Sequence, residues 1–166
     1  DSALRRLRLI NPHLKLVAHR SALDADSLAD AVAAVDLVLD CCDNFATREA
    51  VNRACVAARK PLVSGAAIRL EGQLSVFDSR QSASPCYHCL YGHGSEEELT
   101  CSEAGVIGPL VGVIGSLQAL EALKVLAGFG EPLVGRLLLV DASSTRFREL
   151  RVKRDPACSV CGTGHE

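Results

Sequence analysis

Apolar and polar positions change period several times along the chain, and each change predicts an element. Ser2 to Ile10 sets leucines at helical spacing among arginines and reads as the end of an amphipathic helix, stopped by Asn11-Pro12. Leu14 to Ala18 has the length and apolarity of a short strand. Asp26 to Ala34 returns to helical spacing, with Asp24 or Asp26 as its cap. Asp36-Leu-Val-Leu-Asp-Cys41 is an apolar run bounded by acids, the pattern of a buried parallel strand. Asn44 to Arg59 is helical again and places Ala50, Val51, Ala54 and Ala58 on one face. Pro61 to Ile68 reads as a strand, and Gln73 to Phe77 alternates and is expected to pair with it or with its neighbour. A helix from Ile107 to Ala127 and strands at Arg136–Asp141 and Phe147–Val152 complete the pattern. Strand–helix alternation and then an antiparallel-looking end predict an α/β fold with a mixed sheet and flanking helices. In such sheets chemistry gathers at the carboxyl ends of the strands.

Composition narrows the classes. A length of 166 residues predicts a single domain over 1–166. Hydrophobic residues at 48% exclude a disordered segment, and aromatics at 4% require an aliphatic core. A net charge of −2 with no basic tract argues against a nucleic-acid partner. The longest uncharged apolar stretch, Val106 to Leu120, is too short for a bilayer and is broken by Gly and Pro, so no membrane association is expected. No signal peptide is visible. Of the eight cysteines, Cys41, Cys42 and Cys55 sit in apolar runs, which fits a cytoplasmic chain with a metal site better than a secreted disulfide scaffold. The chain contains no methionine, so it is expected to be a piece of something longer.

Four cysteines fall into two matched pairs, Cys86-Tyr87-His88-Cys89 and Cys158-Ser159-Val160-Cys161. Two Cys-x-x-Cys turns can supply the four sulfurs of a closed, structural zinc site. Two disulfides, or four unrelated core cysteines, are the competing readings. His88 would be a ligand only in place of a missing sulfur, and His165 reads as a tail residue. The first pair lies in a segment from Asp78 to Glu103 rich in Ser, Gly, Cys and His, long enough to be functional.

Asp40-Cys-Cys-Asp43-Asn44 lies where a buried strand ends and a helix begins. Asp43 or Asn44 can simply cap that helix. In the functional reading a carboxylate here holds Mg²⁺ on a nucleotide. Asp40 falls within the strand and has no assigned role. Arg48, in the first helical turn, can reach a phosphate, although such a charge more often pairs in solvent. Cys101, in a polar loop just before a helix, has the setting of a reactive thiol, with a spare ligand or no role as the alternatives. The glycines from Gly105 to Gly115 resemble a phosphate loop only superficially, because no Lys-Ser/Thr comes after them. Close helix packing, at a subunit interface for instance, accounts for Gly108, Gly112 and Gly115 better.

Taken in order, these motifs resemble a known family. Asp40-Cys-Cys-Asp43-Asn44, Pro61-Leu-Val-Ser-Gly-Ala-Ala-Ile68, Glu71-Gly-Gln73, Pro85-Cys-Tyr-His-Cys89, Thr100-Cys-x-x-Ala-Gly-Val106, Pro109 to Ser116, Phe147-Arg-Glu149 and the last Cys-x-x-Cys are similar to those of the ThiF/MoeB/HesA family, relatives of the ubiquitin-activating enzymes. The resemblance implies a Rossmann-like adenylation domain of which this chain is the C-terminal portion. The family's glycine-rich loop and phosphate-holding cations would precede Asp1. It implies ATP- and Mg²⁺-dependent adenylation of the C-terminal Gly-Gly carboxylate of a ubiquitin-like sulfur carrier of the molybdopterin or thiamine kind, and a homodimer. It implies that Asp43 assists Mg-ATP, that Asn44 lines the nucleotide site, that Cys101 is the acyl- or persulfide-linked thiol, and that Cys86, Cys89, Cys158 and Cys161 bind zinc. The alternative is a non-catalytic, zinc-stabilised fragment that binds a ubiquitin-like partner or its own copy.

Overall fold

The computed structural model describes residues 2–92 and 104–162. Its elements, in chain order, are α1 (Ser2–Ile10), α2 (Ala25–Ala33), β1 (Val38–Asp40), α3 (Phe45–Ala57), β2 (Leu62–Ile68), β3 (Glu71–Phe77), α4 (Tyr87–Tyr91), α5 (Gly108–Ala127), β4 (Arg136–Asp141) and β5 (Arg146–Arg151). The strands form one mixed five-stranded sheet in the order β1-β2-β3-β4-β5. β1 runs parallel to β2 through the α3 crossover, and every later pairing is antiparallel. The predicted mixed α/β architecture is therefore the one observed.

Caps set the helix starts. Asp24 accepts the Ser27 N–H at 2.9 Å and Asn44 accepts the Thr47 N–H at 2.8 Å. Gly128, at φ 67°, ends α5 in the left-handed conformation that glycine takes without a Cβ clash.

The sheet is covered on both faces. Leu62 and Phe77 point to one face, where Val32 of α2, Val51 and Cys55 of α3 and Tyr87 of α4 close over them. Val63, Leu74 and Val76 point to the other, against Ala122 of α5 and Leu133. Leu110 and Ile114, also on α5, extend that layer to Val140. Gly72 lets α5 approach β3, since a Cβ there would press into the Ile114 side chain.

Two sequence expectations need correction. Leu14 to Ala18 forms no strand; among the described residues no neighbouring strand is there to satisfy its backbone. Gly108, Gly112 and Gly115 touch nothing among the described residues, for a Cβ on any of them would meet nothing within 4 Å, so the close packing read for them is not packing against this chain's own described elements. The second concerns the apolar stretch from Val106 to Leu120, which its Gly and Pro do not break: from Gly108 on it lies in α5, the helix read over Ile107 to Ala127. The 20 residues of α5 are, by length and composition alone, enough to cross a membrane. Its inner side nevertheless rests on β2 and β3, where Gln118 and Glu121 are each 4% exposed.

This layering sets the expected cost of substitutions. Leu74→Ala, at a position 1% exposed, should destabilise by about 3 kcal/mol, whereas Phe147→Ala, at 53% exposed, should stay within about 0.5 kcal/mol; urea midpoints read both. The Asp141 carboxyl is held down at about 2 by the hydroxyls and N–H groups of Ser143 and Ser144 in the β4–β5 turn. A carboxyl lower in the folded than in the unfolded chain stabilises at pH above its ordinary value near 4 and loses that contribution as pH falls toward 2. Asp141→Asn should therefore lower the neutral plateau of a stability–pH curve and flatten its acid limb, with stability near pH 2 little changed.

Candidate functional site

The two Cys-x-x-Cys pairs come together. Cys86 caps α4, Cys89 lies within that helix, and Cys158 and Cys161 lie in the turn after β5. The first pair thus opens a short helix inside a segment read from sequence as loop. The Sγ atoms of Cys86 and Cys89 are 3.8 Å apart, Cys86 and Cys158 3.7 Å, and Cys89 and Cys161 3.4 Å. All four ligand atoms lie within 4.8 Å of one another. Four sulfurs at the Zn–S distance of about 2.3 Å around a tetrahedral ion stand about 3.8 Å apart, so this set can hold a metal such as zinc. All four are free cysteines, so the disulfide reading fails.

The surroundings suit thiolates. The Asp155 N–H points at Cys89 Sγ at 3.5 Å, the Val160 N–H at Cys158 Sγ at 3.4 Å, and Asn52 Nδ2 at Cys86 Sγ at 3.7 Å. Asn52, 1% exposed, also accepts the Tyr87 N–H at 2.9 Å and so seats the first turn of α4 on α3. His88 is not a ligand: Nδ1 meets Glu49 Oε1 at 2.9 Å and Nε2 meets Ser159 Oγ at 3.0 Å. The ring braces the second knuckle against α3. Arg154 reaches from the tail to the Ser82 carbonyl at 2.7 Å and to the carbonyl of Cys161. Without metal, burial pushes the Cys86 thiol up and Cys161 to about 11. Against the same push, the N–H groups of Cys161 and Val160 bring Cys158 down.

The second site lies at the carboxyl end of β1. Asn44 caps α3 through Oδ1 and donates from Nδ2 to Asp43 Oδ1 at 3.3 Å, and both residues are exposed. The cap therefore falls to Asn44, which leaves Asp43 facing solvent at the mouth of the sheet. A hard carboxylate there can bind a hard cation such as Mg²⁺. Cys42 is no nucleophile at neutral pH, because burial and then the Asp40 carboxylate push its thiol up to about 12. Cys101 and His165 lie outside the described residues.

Beneath this turn is a polar knot that sequence reasoning missed. Asp40, its side chain fully buried, takes Arg48 NH1 at 3.1 Å, Ser64 Oγ at 2.8 Å and the Cys42 N–H at 2.9 Å. Arg48 NH1 also reaches Ser64 Oγ at 3.4 Å and the Gly65 carbonyl at 3.3 Å, and NH2 donates to the carbonyl of Cys42. Gln118 of α5 donates to the Asp40 carbonyl at 2.8 Å and the Val63 carbonyl at 3.3 Å. It fits because Gly65 has no Cβ to collide with its amide. Arg48 is 9% exposed and pairs with a buried acid, so the solvent pair considered for it from sequence is not what it makes. Removing one partner of such a buried pair costs about 3–5 kcal/mol. The signal was present: an acid inside a buried apolar run requires a partner.

On the α3 face of the sheet, Ala66, Ile68, Glu71, Gln73, Leu139 and Arg148 line a cleft of about 300 Å³. Ala66 lies two residues beyond Ser64 on the same face, so the cleft opens about 7 Å further along β2. Tyr91 holds the Gln73 side chain by donating to its Oε1 at 2.8 Å.

Comparison with known proteins agrees with this arrangement. The model of the ThiF family matches residues 1–160. The chain is 52% identical over 162 residues to the molybdopterin-synthase adenylyltransferase of Escherichia coli K12, covering 98% of this chain and 65% of that protein. It is 46% identical over 157 residues to the sulfur carrier protein ThiS adenylyltransferase of the same organism, covering 95% and 62%. It thus spans somewhat under two thirds of the length of either relative. Among solved structures, E. coli MccB superposes with a TM-score of 0.79 at 17% identity, over 100% of this chain and 50% of that one. MccB with ATP gives 0.75 at 19% identity, over 95% and 49%. The fold is therefore shared with MccB, and by its motifs and their order the chain belongs to the ThiF family.

Proposed function

We propose that this chain is the C-terminal portion of an adenylation domain that activates the C-terminal Gly-Gly carboxylate of a ubiquitin-like sulfur carrier with ATP. The observation that carries the reading is the Asp43–Asn44 turn. It presents a solvent-facing carboxylate at the carboxyl end of a parallel strand and the start of a helix, in a chain 52% identical to a molybdopterin-synthase adenylyltransferase. A carboxylate is a poor electrophile. Attack of its oxygen on the α-phosphorus of ATP expels pyrophosphate and leaves an acyl-adenylate open to sulfur. Bound Mg²⁺ would neutralise charge on the departing phosphates. Asp43 would hold the cation, and Asn44, which keeps the turn in place through its cap, would line the nucleotide site. The cleft along β2 and β3 suits an extended tail of residues without side chains, with Arg148 at its wall. Cys101 is the thiol that would take the acyl group from the acyl-adenylate with release of AMP, or carry sulfur as a persulfide passed to it by a persulfide donor.

Zinc in the Cys86–Cys89–Cys158–Cys161 cluster has a structural role, since four sulfurs leave no open position. The outer face of α5, with Val111, Gly112, Gly115, Leu123 and Leu126 exposed, supports a homodimer interface. Free thiols at Cys41, Cys42 and Cys55, outside the cysteine cluster, support a cytoplasmic location.

In the full reading frame, Asp43→Ala should reduce carrier-dependent ATP–pyrophosphate exchange by about 100-fold or more without lowering the melting temperature. Full exchange in that variant sinks the role given to Asp43. Metal analysis should find one zinc per chain. A structural zinc contributes about 10 kcal/mol or more in the smallest metallo-domains, and less here because the sheet has its own core. Chelation should therefore expose the tail after Val152 and the segment around α4 to hydrogen exchange or protease before the sheet unfolds. Simultaneous loss of all protection would contradict that order.

A further inference from the structure

We propose that Arg48 is a positioning residue: anchored on Asp40, its guanidinium clamps the Cys42 carbonyl and so fixes the turn that presents Asp43. The inference rests on the adenylation reading for its importance, but not for its geometry.

β1 is only three residues long, and the chain leaves it for α3 within four more. Such a short strand has little ladder to aim the turn beyond it. The structure supplies the missing constraint from side chains of three other elements. Gln118 of α5 holds the Asp40 carbonyl, Ser64 of β2 holds the Asp40 carboxylate, and Arg48 of α3 holds both that carboxylate and the Cys42 carbonyl. The Asp40 carboxylate completes the grip by accepting the Cys42 N–H. The peptide groups on either side of Cys42 are thereby tied to the knot, one residue before Asp43. From the other side, the Arg48 N–H bonds to the Asn44 carbonyl at 3.3 Å, so the same residue closes the first turn of the helix that Asn44 caps.

Two features separate a clamp from a plain ion pair. Charge neutralisation of Asp40 requires one cation, and a lysine would provide it. Spanning a carboxylate and a carbonyl at once requires the planar fork of arginine. The burial of Arg48 beneath the turn also points its NH1 and NH2 at protein acceptors.

Substitutions can exploit that difference. Arg48→Lys in the zinc-loaded full-length protein keeps the charge and removes the fork. Arg48→Met removes both, and since it can fail to fold, Ser64→Ala serves as the milder second variant, withdrawing one of the groups on Asp40. By amide hydrogen exchange, protection of the Cys42 and Thr47 N–H groups should fall about ten-fold in Arg48→Lys, with Leu74 and Val76 in the sheet unchanged. In carrier-dependent ATP–pyrophosphate exchange, the Mg²⁺ concentration for half-maximal rate should rise about ten-fold at an unchanged KM for the carrier. Ser64→Ala should move both readouts in the same direction by less. Unaltered protection at Cys42 and Thr47 overturns the proposal. So does a loss spread evenly over β2 and β3, which would make Arg48 a core ion pair, and so does local loosening with no change in the Mg²⁺ requirement. If the unmutated protein shows no exchange, the adenylation reading fails, and the protection measurements by themselves decide whether Arg48 holds the turn.

Discussion

Asp40 carries a carboxylate to a place where its side chain is fully buried, and a buried charge has to be matched at close range. The match draws on Arg48 from α3 and Ser64 from β2, while Gln118 from α5 holds the adjoining carbonyl. Those three elements lie on different sides of β1. Satisfying one acid therefore locks the crossover helix, the neighbouring strand and the long helix of the opposite layer to one point. That point is the carboxyl end of the parallel pair. A well-packed apolar cluster of the same volume could be as stable, but it would not fix the backbone of Cys42 from both of its peptide groups.

The cysteine cluster meets the same framework from its other end. Helix α3 contributes Asn44 and Arg48 at its start, then Glu49 and Asn52 one turn later. Asn52 seats Cys86 and Tyr87, and Glu49 orients His88 against Ser159. A metal held by Cys86, Cys89, Cys158 and Cys161 would thus tie the tail to the helix that also presents Asp43. The cysteine cluster and the Asp43 turn share α3 as a strut, and the sheet beneath keeps its own core in Leu62, Val63, Leu74 and Val76.

Much of this was legible along the chain because the signals are local. The spacing of each Cys-x-x-Cys pair, the acid-bounded run ending at Asp40, and Asn44 ahead of a helical period depend on neighbours a few residues away. The strands around Pro61–Ile68, Gln73–Phe77, Arg136–Asp141 and Phe147–Val152 emerged within two residues of their observed ends. Leu14 to Ala18 misled for the opposite reason. Its composition suits a strand, but a strand exists only with a partner for its backbone.

By itself the sequence determined the family, the fold class, the four cysteines that could hold a metal and the candidate carboxylate at Asp43, all of them matters of residue type at short spacing. Only the tertiary structure decided what Asp40, Arg48, Ser64 and Gln118 do, and that His88 is a brace and not a ligand. Arg48 and Gln118 stand far apart along the chain, and their meeting depends on how α3 and α5 sit on the sheet. The strength of a charge depends on that burial, and burial belongs to the whole fold and not to any stretch of the chain.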